Sequence, residues 1–129
     1  IGVVDRQGPL LLHGPVGAEI LQQEAGLTDI SIYKAVYWHT TANPDLDELG
    51  KVVFIADKLD PAKIDSYPYL PQIRQMAFQD MDRAILHFLT RQAMDRLNRG
   101  ELVHPVMVET RNALLAASGV PANPTGAVE

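Results

Sequence analysis

Three polar side chains stand where a compact helical protein should be apolar. They are His13 in PLLLHGPVGA, His39 in AVYWHTT and Asp57 in VVFIAD. Two imidazoles and a carboxylate form a common donor set for a catalytic metal. Their spacings are too long for a local motif such as HExxH, so a shared site would need three separate elements to converge. Each residue also has an ordinary structural reading. His13 can cap the helix that follows it, and His39 can bond a backbone carbonyl at its helix end, where a cation is favoured. Asp57 can pair with Lys58 or Lys63. Asp57 is the hardest of the three to place, because a carboxylate buried without a cation or metal is costly.

Other polar groups have both a functional and a structural reading. Thr40 and Thr41 can donate hydroxyls to a phosphate, or simply cap a turn. Lys63 is either a phosphate contact or a solvated charge. His87, inside an apolar stripe, and His104, just before Pro105, read as structural.

The elements that must position these residues are helical. Pro15 suits the first turn of a helix running to Ala25, with Gly26 as its stop, which leaves His13 in a turn just before it. Thr28 or Asp29 caps a second helix, on which Ile32, Val36 and His39 share a core-facing side. Asp45 or Asp47 opens a third, in which Gly50, Val53 and Asp57 share a face. A strand over VVFIA is the alternative, because that run is short and β-branched at its start. Pro61, Pro68 and Pro71 mark a stiff loop. Residues 72–99 carry a long stripe of Ile73, Ala77, Met81, Ala84, Ile85, Phe88 and Leu89. Asp80–Arg83 and Asp95–Arg99 are opposite-charge pairs on it, and Gly100 is the stop. Pro105 begins a last helix that ends before Gly119. The expectation is about five helices over 1–118, followed by a loose tail over 119–129.

Composition narrows the function classes. The chain has 129 residues, of which 47% are hydrophobic and 21% charged, which suits one globular domain. Net charge is −5 and the eleven Lys and Arg are scattered, which argues against duplex nucleic acid as a partner. With no cysteine there is no disulfide framework, thiolate zinc site or Cys nucleophile, and a cytoplasmic setting is expected. No apolar run approaches the ~18 residues that span a bilayer. The phosphate-binding GxxxxGK[ST] and GxGxxG motifs and the GxSxG nucleophile elbow are absent. Ile1 rather than Met stands first, so the sequence reads as a processed or truncated product, or as part of something longer.

Taken together, LLHGPVGAEI, YWHTT, KVVFIADKLDP and HPVMVETRN resemble one family. It is the bacterial HD-domain phosphohydrolases known as symmetrical bis(5′-nucleosyl)-tetraphosphatases, the YqeK family, and the likeness runs from about residue 9 to residue 117. The resemblance implies an all-α, HD-domain-like bundle with a two-metal centre, often iron, with manganese as an alternative. It also implies symmetrical cleavage of diadenosine tetraphosphate to two ADP by a metal-activated water. On this likeness His13 and His39 would be ligands of one metal and Asp57 of the other. Thr40, Thr41 and Lys63 would contact the nucleotide substrate. The family's first His and its His-Asp doublet would lie on helices before Ile1. The chain is therefore expected to be a partial HD domain, with those helices supplied by a longer protein, another chain or a homo-oligomer. The alternative is a degenerate, non-catalytic module that binds a nucleotide or a protein.

Overall fold

The computed structural model describes residues 9–119, all of whose regular elements are helical. Six α-helices follow in order: α1 Pro9–Glu24, α2 Ile30–Tyr37, α3 Glu48–Lys58, α4 Leu70–Gln79, α5 Met81–Asn98 and α6 Pro105–Ala117, with a 3₁₀ turn at Pro61–Lys63 before α4. The VVFIA segment lies inside α3, so the strand alternative is removed. The expectations for the first eight residues, and for the tail beyond Gly119, fall outside the described residues.

Aspartates start three of these six helices, because a carboxylate satisfies backbone N–H groups that lack an intrahelical partner. Asp29 accepts from the N–H of Ser31 at 2.9 Å and of Ile32 at 3.2 Å, opening α2. Asp47 accepts from the N–H of Gly50 at 2.9 Å, opening α3. Its other oxygen takes the hydroxyl of Ser31, so one carboxylate joins the starts of two helices. His104 opens α6 by accepting from the N–H of Val106 at 3.1 Å. The stops at Gly26 and Gly100 have positive φ, 70° and 68°, the left-handed conformation that glycine adopts without a Cβ penalty.

Two helices differ from the sequence expectation. α1 begins at Pro9, so His13 lies within it and Pro15 is internal. A proline there removes one backbone bond and normally disfavours a helix. The close seating of α1 on α2, described below, offsets that loss. The long helix expected over 72–99 is two. Asp80 is extended, with φ −156° and ψ 103°; it ends α4 and caps α5. Its carboxylate accepts from the backbone N–H of Arg83 at 3.1 Å and so does cap duty, not charge pairing along one helix. Arg99 likewise pairs with Glu101, at 2.8 Å, in place of Asp95.

The core sits among α3, α4, α5 and α6. Phe54, Ile73, Phe88 and Leu89 are its largest fully buried side chains. Phe54 meets Phe88 edge to face with centroids 5.9 Å apart, and Tyr67 meets Phe88 the same way at 5.2 Å. Packing then runs outward as a ribbon: α3 on α5, α2 on α3, α1 on α2. α1 buries Ala18, whereas Val16 and Ile20 are each 49% exposed. Ile32, expected on the core side of α2, is also exposed. α1 thus holds His13, whereas His39 stands in the turn after α2 and not on that helix as its spacing implied, because the helix ends at Tyr37; the inner bundle holds Asp57. Among the described residues no helix is long and apolar enough to cross a membrane.

Candidate metal centre

Close helix contact brings the two imidazoles together. Gly14 of α1 lies against the end of α2, where a Cβ would stand 2.7 Å from the Tyr37 carbonyl oxygen and 3.1 Å from that of Val36. Only a residue without a side chain allows that approach. His13, one residue earlier, then reaches over the end of α2 to His39. Their Nε2 atoms are 2.7 Å apart and their rings are edge to face, with centroids at 4.6 Å.

His39 follows α2 in a turn, and its Nδ1 lies 2.6 Å from the Val36 carbonyl oxygen. The carbonyl can only accept, so Nδ1 carries the proton and donates. In the neutral ring this leaves the Nε2 lone pair directed at His13. A ring held this way by a backbone carbonyl is the arrangement that presents Nε2 to a metal. It is also the plain carbonyl bond that the sequence allowed. Thr40 adds its Oγ1 3.2 Å from His13 Nε2. Thr41 does not face the imidazoles: it is 5% exposed, and its hydroxyl donates to the Ala42 carbonyl.

Asp57, at the last turn of α3, is held by two lysines. Lys63 donates to Oδ1 at 2.9 Å and also to the Asp57 carbonyl oxygen at 2.9 Å, while Lys58 donates to Oδ2 at 3.2 Å. Burial pushes the Asp57 carboxyl up. The Lys63 hydrogen bond and the Lys58 charge outweigh that effect and hold it below the usual carboxylate range. Lys58 is itself buried at 4% exposure. Loss of solvation pulls its amine down to about 8, against the opposing pull of Asp57.

Lys58 connects parts of this region in a way the sequence does not reveal. Beyond pairing with Asp57, its Nζ donates to the Thr40 carbonyl oxygen at 3.0 Å. One ammonium therefore joins the turn that carries His39 to the carboxylate at the end of α3. Its burial does fit the helical spacing: Gly50, Phe54 and Lys58 are spaced four apart, and they form the buried side of α3. The side expected from the sequence, Gly50–Val53–Asp57, is rotated from it, which leaves Asp57 one-third exposed at 32%.

The donor types fit a divalent transition metal: imidazole nitrogen with its second ring nitrogen on a backbone carbonyl, and a nearby carboxylate. The count falls short, because among the described residues no group of three His, Cys, Asp or Glu is placed to hold one ion. His13 and His39 are brought together, whereas Asp57 sits with its lysines. His87 lies elsewhere on α5, with a buried Nε2 and a ring pulled below its ordinary pKa by burial and by Arg91 and Arg83.

The all-α bundle, with paired histidines at a helix–helix contact and an aspartate in the last turn of the next helix, is an HD-like fold. The HD domain family matches residues 2–62, a span that contains His13, His39 and Asp57. The chain is similar to that family over this span. Relatives named symmetrical bis(5′-nucleosyl)-tetraphosphatase occur in Bacillus subtilis, 31% identical over 85% of this chain and 58% of the relative. Another from Halalkalibacterium halodurans is 32% identical over 84% of this chain and 57% of the relative. The chain thus spans somewhat over half the length of these relatives. A crystal structure from Clostridium acetobutylicum, of a predicted HD superfamily hydrolase involved in NAD metabolism, superposes with a TM-score of 0.82. The two share 26% identity over 91% of this chain and 61% of that one.

Proposed function

We propose that residues 1–118 form part of an HD-type, metal-dependent nucleotide phosphohydrolase that cleaves diadenosine tetraphosphate symmetrically into two ADP. The observation that carries this reading is the His13–His39 pair, two Nε2 atoms 2.7 Å apart with one ring fixed by the Val36 carbonyl. The relatives' names supply the substrate.

His13 and His39 would hold one divalent ion, iron or manganese, and Asp57 would contribute to a neighbouring one. Such ions supply Lewis-acid neutralisation of phosphate charge and lower the pKa of water. Two imidazoles are fewer than the roughly three protein donors of a catalytic site, so the complete centre draws donors from beyond the described residues, in the same protein, a second copy or another chain. Thr40, beside the imidazoles, and Lys63, at the rim by Asp57, would orient phosphate oxygens by hydrogen bonding and charge. Thr41, with its hydroxyl turned inward, would act through the shape of its turn. Phosphoryl transfer relies mainly on such positioning and neutralisation, which suits a chain with no cysteine.

A second reading is a non-catalytic helical module on the same fold, which binds a nucleotide or a protein. It is favoured by the two lysines that already satisfy Asp57. The test is anaerobic metal analysis of the purified protein, followed by chromatography of products from diadenosine tetraphosphate. Near-stoichiometric iron or manganese with ADP as sole product supports the hydrolase. No metal taken up and no ADP formed would give the module reading the lead.

A further inference from the structure

We infer that Lys58 is a positioning residue of this site: its ammonium ties the His39–Thr40 turn to Asp57 and so sets where the imidazole pair stands relative to the carboxylate. Its functional meaning rests on the hydrolase reading above, but the tether exists without any metal.

Three observations meet at this side chain. Lys58 Nζ has two oxygen acceptors on different elements, the Thr40 carbonyl at 3.0 Å and Asp57 Oδ2 at 3.2 Å. It also lies over the Phe54 ring, 4.9 Å from the centroid, with Phe88 at 5.9 Å. A buried ammonium gives up solvation, so it holds firmly to whatever acceptors it finds. Neither acceptor can move without leaving that charge underpaired.

The turn it holds is one that needs holding. Ala42 has φ 65°, the left-handed conformation that alanine disfavours, and is 1% exposed. Such a residue persists only where its surroundings fix it. Here the fixing bonds are Ala42 N–H to the Trp38 carbonyl at 2.8 Å, the Thr41 hydroxyl to the Ala42 carbonyl at 3.2 Å, and Lys58 to the Thr40 carbonyl. Only the last reaches out of the turn to a functional side chain on another helix. Lys63 also grips Asp57, but its recorded partners are both on Asp57 and none is on the turn.

The chain has no cysteine, which permits a clean test. Lys58→Met removes the charge while filling the space. Lys58→Cys, alkylated with 2-bromoethylamine while unfolded and then refolded, restores a lysine-like amine at that single thiol. Hydrogen exchange on the metal-free full chain should show the Trp38–Ala42 amides exchanging roughly tenfold faster in Lys58→Met, with α5 unchanged. Alkylated Lys58→Cys should return to parental protection, and Lys63→Met should never lose it. In the same proteins Lys58→Met should bind Mn²⁺ roughly tenfold or more weakly, as removal of a supporting partner does, again with recovery on alkylation. Unchanged protection in Lys58→Met overturns the assignment. So does a loss spread evenly over all helices, or one that the restored amine does not reverse. A parent chain that takes up no Mn²⁺ counts against the hydrolase reading alone, since the exchange measurement still decides the role of Lys58.

Discussion

Gly14 and Tyr37 approach so closely that a Cβ on the glycine would stand 2.7 Å from the tyrosine carbonyl oxygen. The obstacle is backbone, so no side-chain rotation relieves it. Gly14→Ala must push α1 off the end of α2, at a cost of about 1–3 kcal/mol for an overpacked contact. His13 rides on the displaced turn, so the imidazole pair opens as well. Urea unfolding should show the lost stability, and Mn²⁺ titration a weaker site. A variant as stable as the parent, with unchanged metal affinity, would mean that the contact does not place His13.

How much of this was legible follows from what each residue depends on. Caps are local chemistry, and Asp29, Asp47, Gly26 and Gly100 act as their types and neighbours imply. The apolar stripe of 72–99 also packs as read, and Ile73, Ala84, Ile85, Phe88 and Leu89 are all buried. The break inside it was harder to see, because Asp80 reads equally as a surface charge facing Arg83 and as a cap. Only packing decides between these. The imidazole pairing depends on the approach of Gly14 to α2, a tertiary fact that no periodicity contains. The side of α3 that turns inward escapes the periodicity for a similar reason. A lysine at a core position contradicts burial preference, and what overrides it is an acceptor pair contributed by Thr40 and Asp57.

The Asp80 junction yields its own prediction. Asp80→Ala removes the carboxylate that accepts the Arg83 N–H, and should cost about 1 kcal/mol, the usual worth of such a cap. Asp80→Asn should cost much less, because its side-chain oxygen can still accept. Urea midpoints of the two variants check this ranking, and equal losses would remove the cap from the account.

Alkaline stability should report on Lys58. Its amine is pulled from 10.5 to about 8 in the folded protein by burial, against the pull of Asp57. Between those values the unfolded chain holds more proton than the folded one, so stability attributable to this group rises with pH across that window. The gain is at most on the order of 3 kcal/mol. Tyrosine and other lysine titrations overlap it, so the informative quantity is the difference in melting temperature between the parent and Lys58→Met. That difference should shift in the parent's favour from about pH 8 to pH 10.5. A pH-independent difference would show that Lys58 titrates normally. Asp57 acts in the same direction at the acid end. Its lowered value contributes stability that is present above the ordinary carboxyl pKa of 3.8 and is lost as pH falls through the folded value.

The imidazole pair should separate function from folding. His13 is exposed and His39 half-buried, and neither belongs to the hydrophobic core. In the complete protein, His13→Ala and His39→Ala should each lower hydrolysis by about 100-fold or more, at least the upper end of what losing a mere supporting partner costs. Helical circular dichroism should be nearly unchanged. His39→Asn offers a finer probe, since it can still donate to the Val36 carbonyl but offers no imidazole lone pair. Activity surviving in either alanine variant would remove that histidine from the site.

Asp57 and Lys58 should behave as a pair in stability while differing in what each does alone. Asp57→Ala strands a buried ammonium. Loss of one partner from a fully buried pair costs about 3–5 kcal/mol, and because Asp57 is 32% exposed and Lys63 stands beside it, about 1–3 kcal/mol is the fitting range here. Lys58→Met puts an apolar chain of similar length against Phe54 and Phe88, and should be close to neutral, as is common when a buried ion is replaced by packing. In the double variant no stranded charge remains, so part of the Asp57→Ala loss should return, giving a coupling of about 1–2 kcal/mol. Urea unfolding with a chelator present keeps metal out of the comparison. Strict additivity would mean that the 3.2 Å contact contributes nothing, and that solvent and Lys63 alone stabilise the carboxylate.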